Sequence, residues 1–177
     1  SGGWVLDAGC RDFGFARGLA ARGCRVVALD ADPGITDPGI LGVEFENVAV
    51  AAVAGQRRLH LHTDPQARAL LPPNAPPRGD EVEVRTITVA DLMAARGVSV
   101  WDVVKLDIEG SEYEILADWP GPIARQISVE FHEHVEPRPP AVYDAIFRRL
   151  ARWYDLVQHD KEARHCCAPN WFDTLWV

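Results

Sequence analysis

Three acidic residues follow apolar, β-branched runs in this sequence: Asp7, Asp30 and Asp107. The carboxyl ends of parallel strands meet at one edge of a sheet, where ligands of open α/β folds bind. If the three runs are strands, the three carboxylates face one crevice. Such a crevice would combine hydrogen-bond acceptors with negative charge. This combination suits a ligand that carries hydroxyl groups and a positive charge.

The turn after the first run favours one cofactor class over another. Asp7 is followed by Gly9 rather than by the G-x-G-x-x-G pattern that lets a diphosphate approach a helix N-terminus. S-adenosylmethionine fits an acidic turn better, since it carries a sulfonium and an ammonium group. Asp30 is placed to accept hydrogen bonds from both ribose hydroxyls. The alternative is that Asp7 caps the next helix and Asp30 is a solvated turn residue.

A denser group of charges lies in the string Lys105-Leu106-Asp107-Ile108-Glu109-Gly110-Ser111-Glu112. On an extended strand, residues 105, 107 and 109 share one side, so their charges converge on one mouth of the sheet. Lys105 is one of only two lysines in the chain, and we expect it to form an ion pair with Asp107 or Glu130.

Two pairs of residues in the same part of the chain match the capping-box pattern of helix N-termini. The pairs are Ser111 with Glu114 and Thr88 with Asp91. We therefore predict structural roles for Glu114 and Asp91, and we leave both out of the candidate site.

Alternation of apolar runs and helical patterns predicts a doubly wound α/β sheet that ends in a strand pair. The predicted strands span residues 4–6, 25–29, 43–53, 58–63, 82–88, 101–106, 126–131, 154–158 and 171–177. The predicted helices span residues 15–22, 89–96, 111–119 and 141–153. The 177 residues form a single predicted domain, 1–177, in which the proline-rich segment 65–80 is a loop or lid.

Composition excludes several classes of partner. A net charge of −8 disfavours nucleic acid and anionic membrane surfaces as partners. No apolar run reaches the roughly 18 residues of a membrane span, and no signal peptide is visible. The four cysteines show no C-x-x-C spacing, which predicts reduced thiols in a cytoplasmic protein. A vicinal disulfide between Cys166 and Cys167 is the alternative.

The string from Val104 to Glu112 resembles the FkbM-type S-adenosylmethionine-dependent methyltransferases. Similar segments are Val5 to Pro33, Thr88 to Leu92 (Thr-x-x-x-Asp-Leu), Asn47 to Gly55 and Ile127 to His132. The resemblance implies a Rossmann-like class I methyltransferase fold with a mostly parallel seven-stranded sheet, an antiparallel C-terminal strand and helices on both faces. It also implies S-adenosylmethionine as cofactor and a small-molecule acceptor, usually the hydroxyl of a sugar, a polyketide or a related compound.

The first loop departs from the family pattern Asp-x-Gly-Ala-Asn-x-Gly. Arg11 replaces the asparagine and Phe13 replaces the second glycine. Phe13 either fills space that the cofactor's methionine part needs or packs beneath the loop. The residues that we expect to bind the cofactor are Asp7, Gly9, Cys10, Arg11, Asp30, Ala31 and Asp107.

Methylation of a hydroxyl requires removal of its proton as the new bond forms. The candidate bases lie at two strand ends, and they are Asp107, Glu109, Glu130, His132 and His134. His132 has an ordinary pKa near neutrality; the alternative is a histidine without a role. Lys105 would orient the carboxylates. Asp107, Glu109, Glu130 and His132 would also suit Mg²⁺ or Ca²⁺, but nothing in their spacing requires a metal, and we assign none from the sequence.

Two other classes of function stay open on the sequence alone. The first is a degenerate methyltransferase fold that binds a ligand or partner without turnover, which the altered loop and short chain favour. The second is a nicotinamide-dependent oxidoreductase, which the missing G-x-G-x-x-G disfavours. A nucleic-acid methyltransferase is disfavoured by the net charge and by Asp107-Ile108-Glu109-Gly110 at the strand end, where an Asn/Asp-Pro-Pro-Tyr/Phe motif would stand. The sequence does not decide the oligomeric state.

Overall fold

The computed structural model describes residues 2–64, 68–77, 79–132, 138–159 and 171–177. Cys166 and Cys167, the pair considered for a vicinal disulfide, lie outside these ranges, as does His134. The described strands are β1 (Trp4–Ala8), β2 (Arg25–Asp30), β3 (Val43–Asn47), β4 (Ala49–Val50), β5 (Gly55–His60), β6 (Ala69–Leu70), β7 (Glu81–Ile87), β8 (Val103–Leu106), β9 (Ile127–His132), β10 (Leu156–His159) and β11 (Trp171–Trp176). The described helices are α1 (Gly14–Ala20), α2 (Val89–Arg96), α3 (Glu112–Ala117) and α4 (Pro140–Leu150).

Seven strands form the main sheet in the order β10-β11-β9-β8-β1-β2-β3. The pairs among β3, β2, β1, β8 and β9 are parallel, and β11 lies antiparallel between β9 and β10. The predicted mostly parallel sheet with an antiparallel C-terminal strand is therefore confirmed. Strand β1 is the point where the chain turns from one half of the sheet to the other, so the crevice expected by topology lies at its carboxyl end.

The inner residues of β1 and β2 are buried on both faces of the sheet, which is why the run from Val26 to Leu29 is continuously apolar. Val5 of β1 faces helix α1 in one apolar cluster, whereas the neighbouring Leu6 faces the other side, in the cluster that includes Leu116 of α3 and Ile146 of α4. The helices thus lie on both faces, as the resemblance implied.

A second, four-stranded sheet in the order β4-β7-β5-β6 lies outside the prediction. The predicted strand 43–53 divides into β3 in the main sheet and β4 in the second sheet. Strand β5 pairs antiparallel with β7 and with β6, and β6 falls inside the segment predicted as a loop or lid. Leu59 of β5, Leu70 of β6 and Val84 of β7 form an apolar cluster separate from those of the main sheet. The second sheet is therefore a small packed unit beside the crevice.

The capping predictions have opposite outcomes. Thr88 is the N-cap of α2, and its hydroxyl oxygen accepts the Asp91 N–H while the Asp91 side chain accepts the Thr88 N–H. The capping box predicted for Ser111 and Glu114 is wrong: Ser111 already has helical dihedral angles and its side chain makes no capping hydrogen bond. Glu114 instead forms an ion pair with Arg57 of β5.

Replacing Thr88 with alanine will lower the free energy of unfolding by about 0.5–2 kcal/mol, because the first turn of α2 loses its capping oxygen. Urea denaturation followed by circular dichroism measures the change. Thr88→Ser is the matched control, since it keeps the hydroxyl and should retain most of the stability. Equal losses in the two variants would contradict the capping role.

Within the described ranges, helices α1 to α4 all lack the length and the apolar composition of a membrane-spanning segment.

Candidate functional site

A cavity of about 300 Å³ lies at the carboxyl ends of the central strands, where the topology predicts a ligand site. Gly9, Arg11, Asp30 and Ala31 line one part of it. Apolar side chains of the second sheet form a wall, to which Ala49, Val50, Leu59 and Leu70 contribute. Asp107, Glu109 and Glu130 line another part. The cavity therefore joins the two groups of acids that the sequence singled out.

Asp30 organises the part of the cavity next to β1. One carboxylate oxygen accepts the backbone N–H of Arg11 at 3.0 Å, and the other accepts that of Asp32 at 2.9 Å. Burial raises the pKa of Asp30, against the lowering effect of these two hydrogen bonds. Asp32 forms an ion pair with Arg68, whose side chain also lines the cavity. The sequence reasoning missed Asp32 and Arg68.

Gly9 is required by the geometry of the turn after β1. Its φ of +82° lies in the left-handed region, and a Cβ there would lie 1.7 Å from the carbonyl oxygen of Asp107. The turn thus packs directly on the backbone that follows β8. Any side chain at position 9 would push apart the two strand ends that border the cavity.

The structure shows where the substituted residue Phe13 lies. Its φ is +59°, a backbone conformation that the family's glycine adopts without strain. Its ring is buried beneath the loop and packs edge to face on Phe45, with 5.3 Å between the ring centroids. Phe13 does not line the cavity, so the substitution leaves the cavity clear.

Two of the predicted cofactor residues lie away from the cavity surface. Cys10 is buried in the apolar cluster beneath α1, and burial raises the pKa of its thiol above the usual range. Asp7 is also buried, and burial raises its pKa to about 6. The Nζ atom of Lys105 lies 3.7 Å from the Asp7 carboxylate and opposes that rise. Asp7 thus holds Lys105 beneath the site.

Lys105 makes its closest contact with Asp107, at 2.7 Å between Nζ and Oδ2. This is one of the two ion pairs expected from the sequence. Burial alone would lower the pKa of Lys105, but Asp107 and Asp7 outweigh it and raise the pKa above its ordinary value. The lysine therefore stays charged and fixes one oxygen of Asp107.

His132 lies at the end of β9, and 3% of its side chain is exposed. Its Nδ1 atom is 2.9 Å from Glu112, and its Nε2 atom lies 3.4–3.7 Å from the nearest oxygens of Glu109, Glu130 and Asp107. Burial lowers its pKa, but the hydrogen bond to Glu112 and the surrounding carboxylates outweigh that effect and raise the pKa to about 9. The imidazole lies behind the carboxylates and does not line the cavity.

Glu109 and Glu130 do line the cavity, and burial raises the pKa of each to about 7. His132 acts against the rise for both residues, while Asp107 adds to it. A carboxyl group with a pKa near neutrality can accept a proton from a ligand under physiological conditions.

Glu112 is a central residue that the sequence reasoning did not assign to the site. It is fully buried, and its oxygens accept the backbone N–H groups of Ile108 at 3.0 Å and Gly110 at 2.9 Å, besides contacting His132. These contacts fix the loop that carries Glu109, whose φ is +53°. The available signal was its position as the last acid of the charged string. The first residue of α3 is thus a buried carboxylate that binds the preceding loop, and it is not an exposed helix cap.

A doubly wound sheet with acids around a cavity at its carboxyl edge is the arrangement of Rossmann-like enzymes that bind a nucleoside cofactor. The sequence model of the methyltransferase FkbM domain matches residues 10–153. The chain therefore belongs to the FkbM methyltransferase family, which confirms the resemblance and the fold class. The cofactor of this family is S-adenosylmethionine.

One curated relative is the 31-O-demethyl-FK506 methyltransferase FkbM of Streptomyces tacrolimicus, 35% identical over 63 residues. The alignment covers 33% of this chain and 24% of the relative, so the chain spans about a quarter of that protein's length. A similar solved structure is the 1,6-didemethyltoxoflavin-N1-methyltransferase of Burkholderia thailandensis, bound to 1,6-didemethyltoxoflavin and S-adenosylhomocysteine. It shares 13% identity with a TM-score of 0.49, over 99% of this chain and 70% of that chain.

Proposed function

We propose that the chain is an S-adenosylmethionine-dependent methyltransferase that methylates a hydroxyl group of a small molecule. The observation that carries this proposal is that one cavity has Asp30 in one part and Asp107, Glu109 and Glu130 in another. One part supplies acceptors for a ribose, and the other supplies groups that take a proton. The volume lies at the lower end of the roughly 300–1,000 Å³ range of small-molecule sites.

The residues present fit the cofactor. Each Asp30 oxygen already accepts one backbone N–H and retains a second lone pair for a ribose hydroxyl. Leu29, Val48 and Val50 supply apolar surface for an adenine ring, and Gly9 leaves the turn free of side-chain atoms. Phe13, which could have filled space that the cofactor needs, instead lies beneath the loop and packs on Phe45.

When bound, S-adenosylmethionine supplies a methyl group on a positively charged sulfur, and the acceptor oxygen displaces the neutral thioether. The chain itself must hold the acceptor and receive its proton. Glu109 and Glu130 are better placed for that task than His132, because both residues line the cavity and His132 does not. We propose Glu109 as the base, with Asp107 and Lys105 as positioning residues.

The hydroxyl acceptor is inferred from the kind of cavity and from the relative. The Streptomyces tacrolimicus protein is named for a 31-O-demethyl substrate, which is methylated on oxygen. Carboxylates suit an alcohol because its proton must leave as the carbon–oxygen bond forms. A small, partly apolar cavity and a net charge of −8 favour a neutral or cationic small molecule over a nucleic acid.

Calorimetric titration with S-adenosylmethionine tests the cofactor part of the proposal. Asp30→Ala should weaken binding by about 1–3 kcal/mol, because charge-assisted hydrogen bonds to the ribose and to the loop amides are lost. Asp37→Ala is the matched control, since Asp37 accepts an N–H from Gly39 in an exposed turn and does not line the cavity. Absence of binding by the unaltered chain up to ~1 mM cofactor would overturn the enzyme proposal.

Methyl transfer is tested with a panel of sugars, polyols and polyketide lactones, with S-adenosylhomocysteine formation as the readout and mass spectrometry to locate the methyl group. A product methylated on oxygen supports the proposal, and one methylated on nitrogen overturns the hydroxyl part of it. Tight cofactor binding without transfer to any compound would favour the alternative, a ligand-binding module without turnover.

A further inference from the structure

Asp107, Glu130 and His132 come together at the ends of the neighbouring strands β8 and β9. Each offers one ligand atom, and these atoms all lie within 4.8 Å of one another. Among the described residues, these three form the group whose chemistry and spacing suit a metal ion. Two carboxylates and one imidazole are ligands that Mn²⁺ and Mg²⁺ accept in proteins.

The orientation of His132 is a second observation that supports a metal site, separate from the positions of Asp107 and Glu130. The ring is almost fully buried, and its Nδ1 atom lies 2.9 Å from the fully buried carboxylate of Glu112. A histidine that binds a metal typically donates its other N–H to a carboxylate in this way, which fixes the ring and its tautomer. The remaining nitrogen, Nε2, faces three carboxylates: Glu109 at 3.4 Å, Glu130 at 3.6 Å and Asp107 at 3.7 Å.

The ion pairs of this region leave the Oδ1 atom of Asp107 and the carboxylate of Glu130 facing His132. Lys105 contacts the Oδ2 atom of Asp107, whereas the Oδ1 atom is the one nearest to His132. No arginine or lysine in the described part of the chain forms an ion pair with Glu130. The side chains of Asp107 and Glu130 are 28% and 26% exposed, so both carboxylates are partly removed from water. Lys105 and His132 are the side-chain cations that now face these carboxylates, and a divalent cation would add to the charge that neutralises them.

We propose that Asp107, Glu130 and His132 bind one divalent cation, Mn²⁺ or Mg²⁺, at the acceptor end of the cavity. Three protein ligands leave coordination positions for water or for a hydroxyl group of the acceptor. A cation in this position lowers the pKa of a hydroxyl that contacts it, and Glu109 then receives the proton. The binding of the cation does not depend on the proposed methyltransferase function, whereas its role in the reaction does.

Titration of EDTA-treated protein with Mn²⁺, followed by electron paramagnetic resonance, tests the site. We expect one bound ion per chain, displaced by excess Mg²⁺, and a melting temperature that rises with Mn²⁺ concentration. Glu130→Gln keeps the shape of the side chain and should weaken Mn²⁺ binding more than tenfold, with a circular dichroism spectrum like that of the parent. Asp144→Asn is the matched control, because Asp144 is exposed on α4 and pairs with Arg148.

The outcomes separate this proposal from the methyltransferase proposal. Binding of S-adenosylmethionine without stoichiometric Mn²⁺ binding up to ~1 mM would overturn the metal site alone. Equal Mn²⁺ affinity in Glu130→Gln and the parent would also overturn it, since the ion would then be held elsewhere. Mn²⁺ binding that is lost in Glu130→Gln, in a chain that does not bind S-adenosylmethionine, would support the site and overturn the methyltransferase function. If Glu130→Gln fails to fold, Asp107→Asn provides the same comparison.

Discussion

Replacing Glu112 with alanine will lower the free energy of unfolding by about 3–5 kcal/mol, because the change leaves a buried histidine and two backbone N–H groups without their carboxylate. This is a large fraction of the 5–15 kcal/mol that ordinarily stabilises a domain. Glu112 is fully buried and contacts Ile108, Gly110 and His132 with its two oxygens. Guanidinium denaturation followed by fluorescence measures the change.

Glu114→Ala is the control for that experiment, since Glu114 lies on the same helix two residues further on. Its side chain is 34% exposed and forms one ion pair, with Arg57. After the change, the Arg57 guanidinium still donates a hydrogen bond to the Leu71 carbonyl at 2.9 Å, so we expect a smaller loss than at Glu112. A loss at Glu112 no larger than the loss at Glu114 would show that the loop holds its shape without the buried carboxylate.

Replacing Glu109 with glutamine will slow methyl transfer about 10²–10⁴-fold while the affinity for S-adenosylmethionine stays within about twofold, because a glutamine cannot take the proton of the acceptor. Single-turnover kinetics with a saturating acceptor from the panel separate this loss from slow product release. Glu109 is assigned this role on its position, since the residue lines the cavity and its carboxylate lies 3.4 Å from His132.

Glu83→Gln provides the comparison, because Glu83 is exposed on strand β7 and does not line the cavity. Unchanged turnover in Glu109→Gln would move the role of base to Glu130. A large loss of cofactor affinity in Glu109→Gln would instead assign Glu109 to cofactor binding.

The main sheet could be predicted because its strands are encoded locally. The run Val26 to Leu29 is apolar on both faces, which is the pattern of a buried parallel strand, and Ile127 to Phe131 alternates apolar with polar residues. Asp30 and His132 follow these two runs directly in the sequence, so the carboxyl edge of the sheet could be predicted as the site. The helix from Thr88 to Gly97 was also predictable, because a capping box and a terminal glycine mark its ends.

The second sheet could not be predicted, because its pairings join distant segments. Ala49 pairs with Thr86, and Leu59 pairs with Leu70 across the proline-rich segment. The split between β3 and β4 occurs within one apolar run and has no local signal. The sequence therefore did not predict that residues of β5 and β6 line the cavity.

The role of Glu112 was hidden for a different physical reason. A sequence shows an acid near a helix start, but it does not show whether that acid caps the helix or is turned inward. Ser111 and Glu114 fit the capping pattern and yet make no cap, because the chain from Ile108 to Gly110 wraps around Glu112 and already fixes the first turn. Glu112 is turned inward because the tertiary fold buries it, and the local sequence does not encode that burial.

The burial of Phe13 has a consequence for how the first loop moves. Where glycine provides a positive φ, a loop can change shape without disturbing the interior, but here the ring of Phe13 fixes the loop to Phe45. The amide hydrogens of Arg11 and Phe13 are held by Asp30 and by the carbonyl of Cys10. We expect the amide of the buried Phe13 to exchange with deuterated solvent together with the apolar cluster beneath α1, as one cooperative unit.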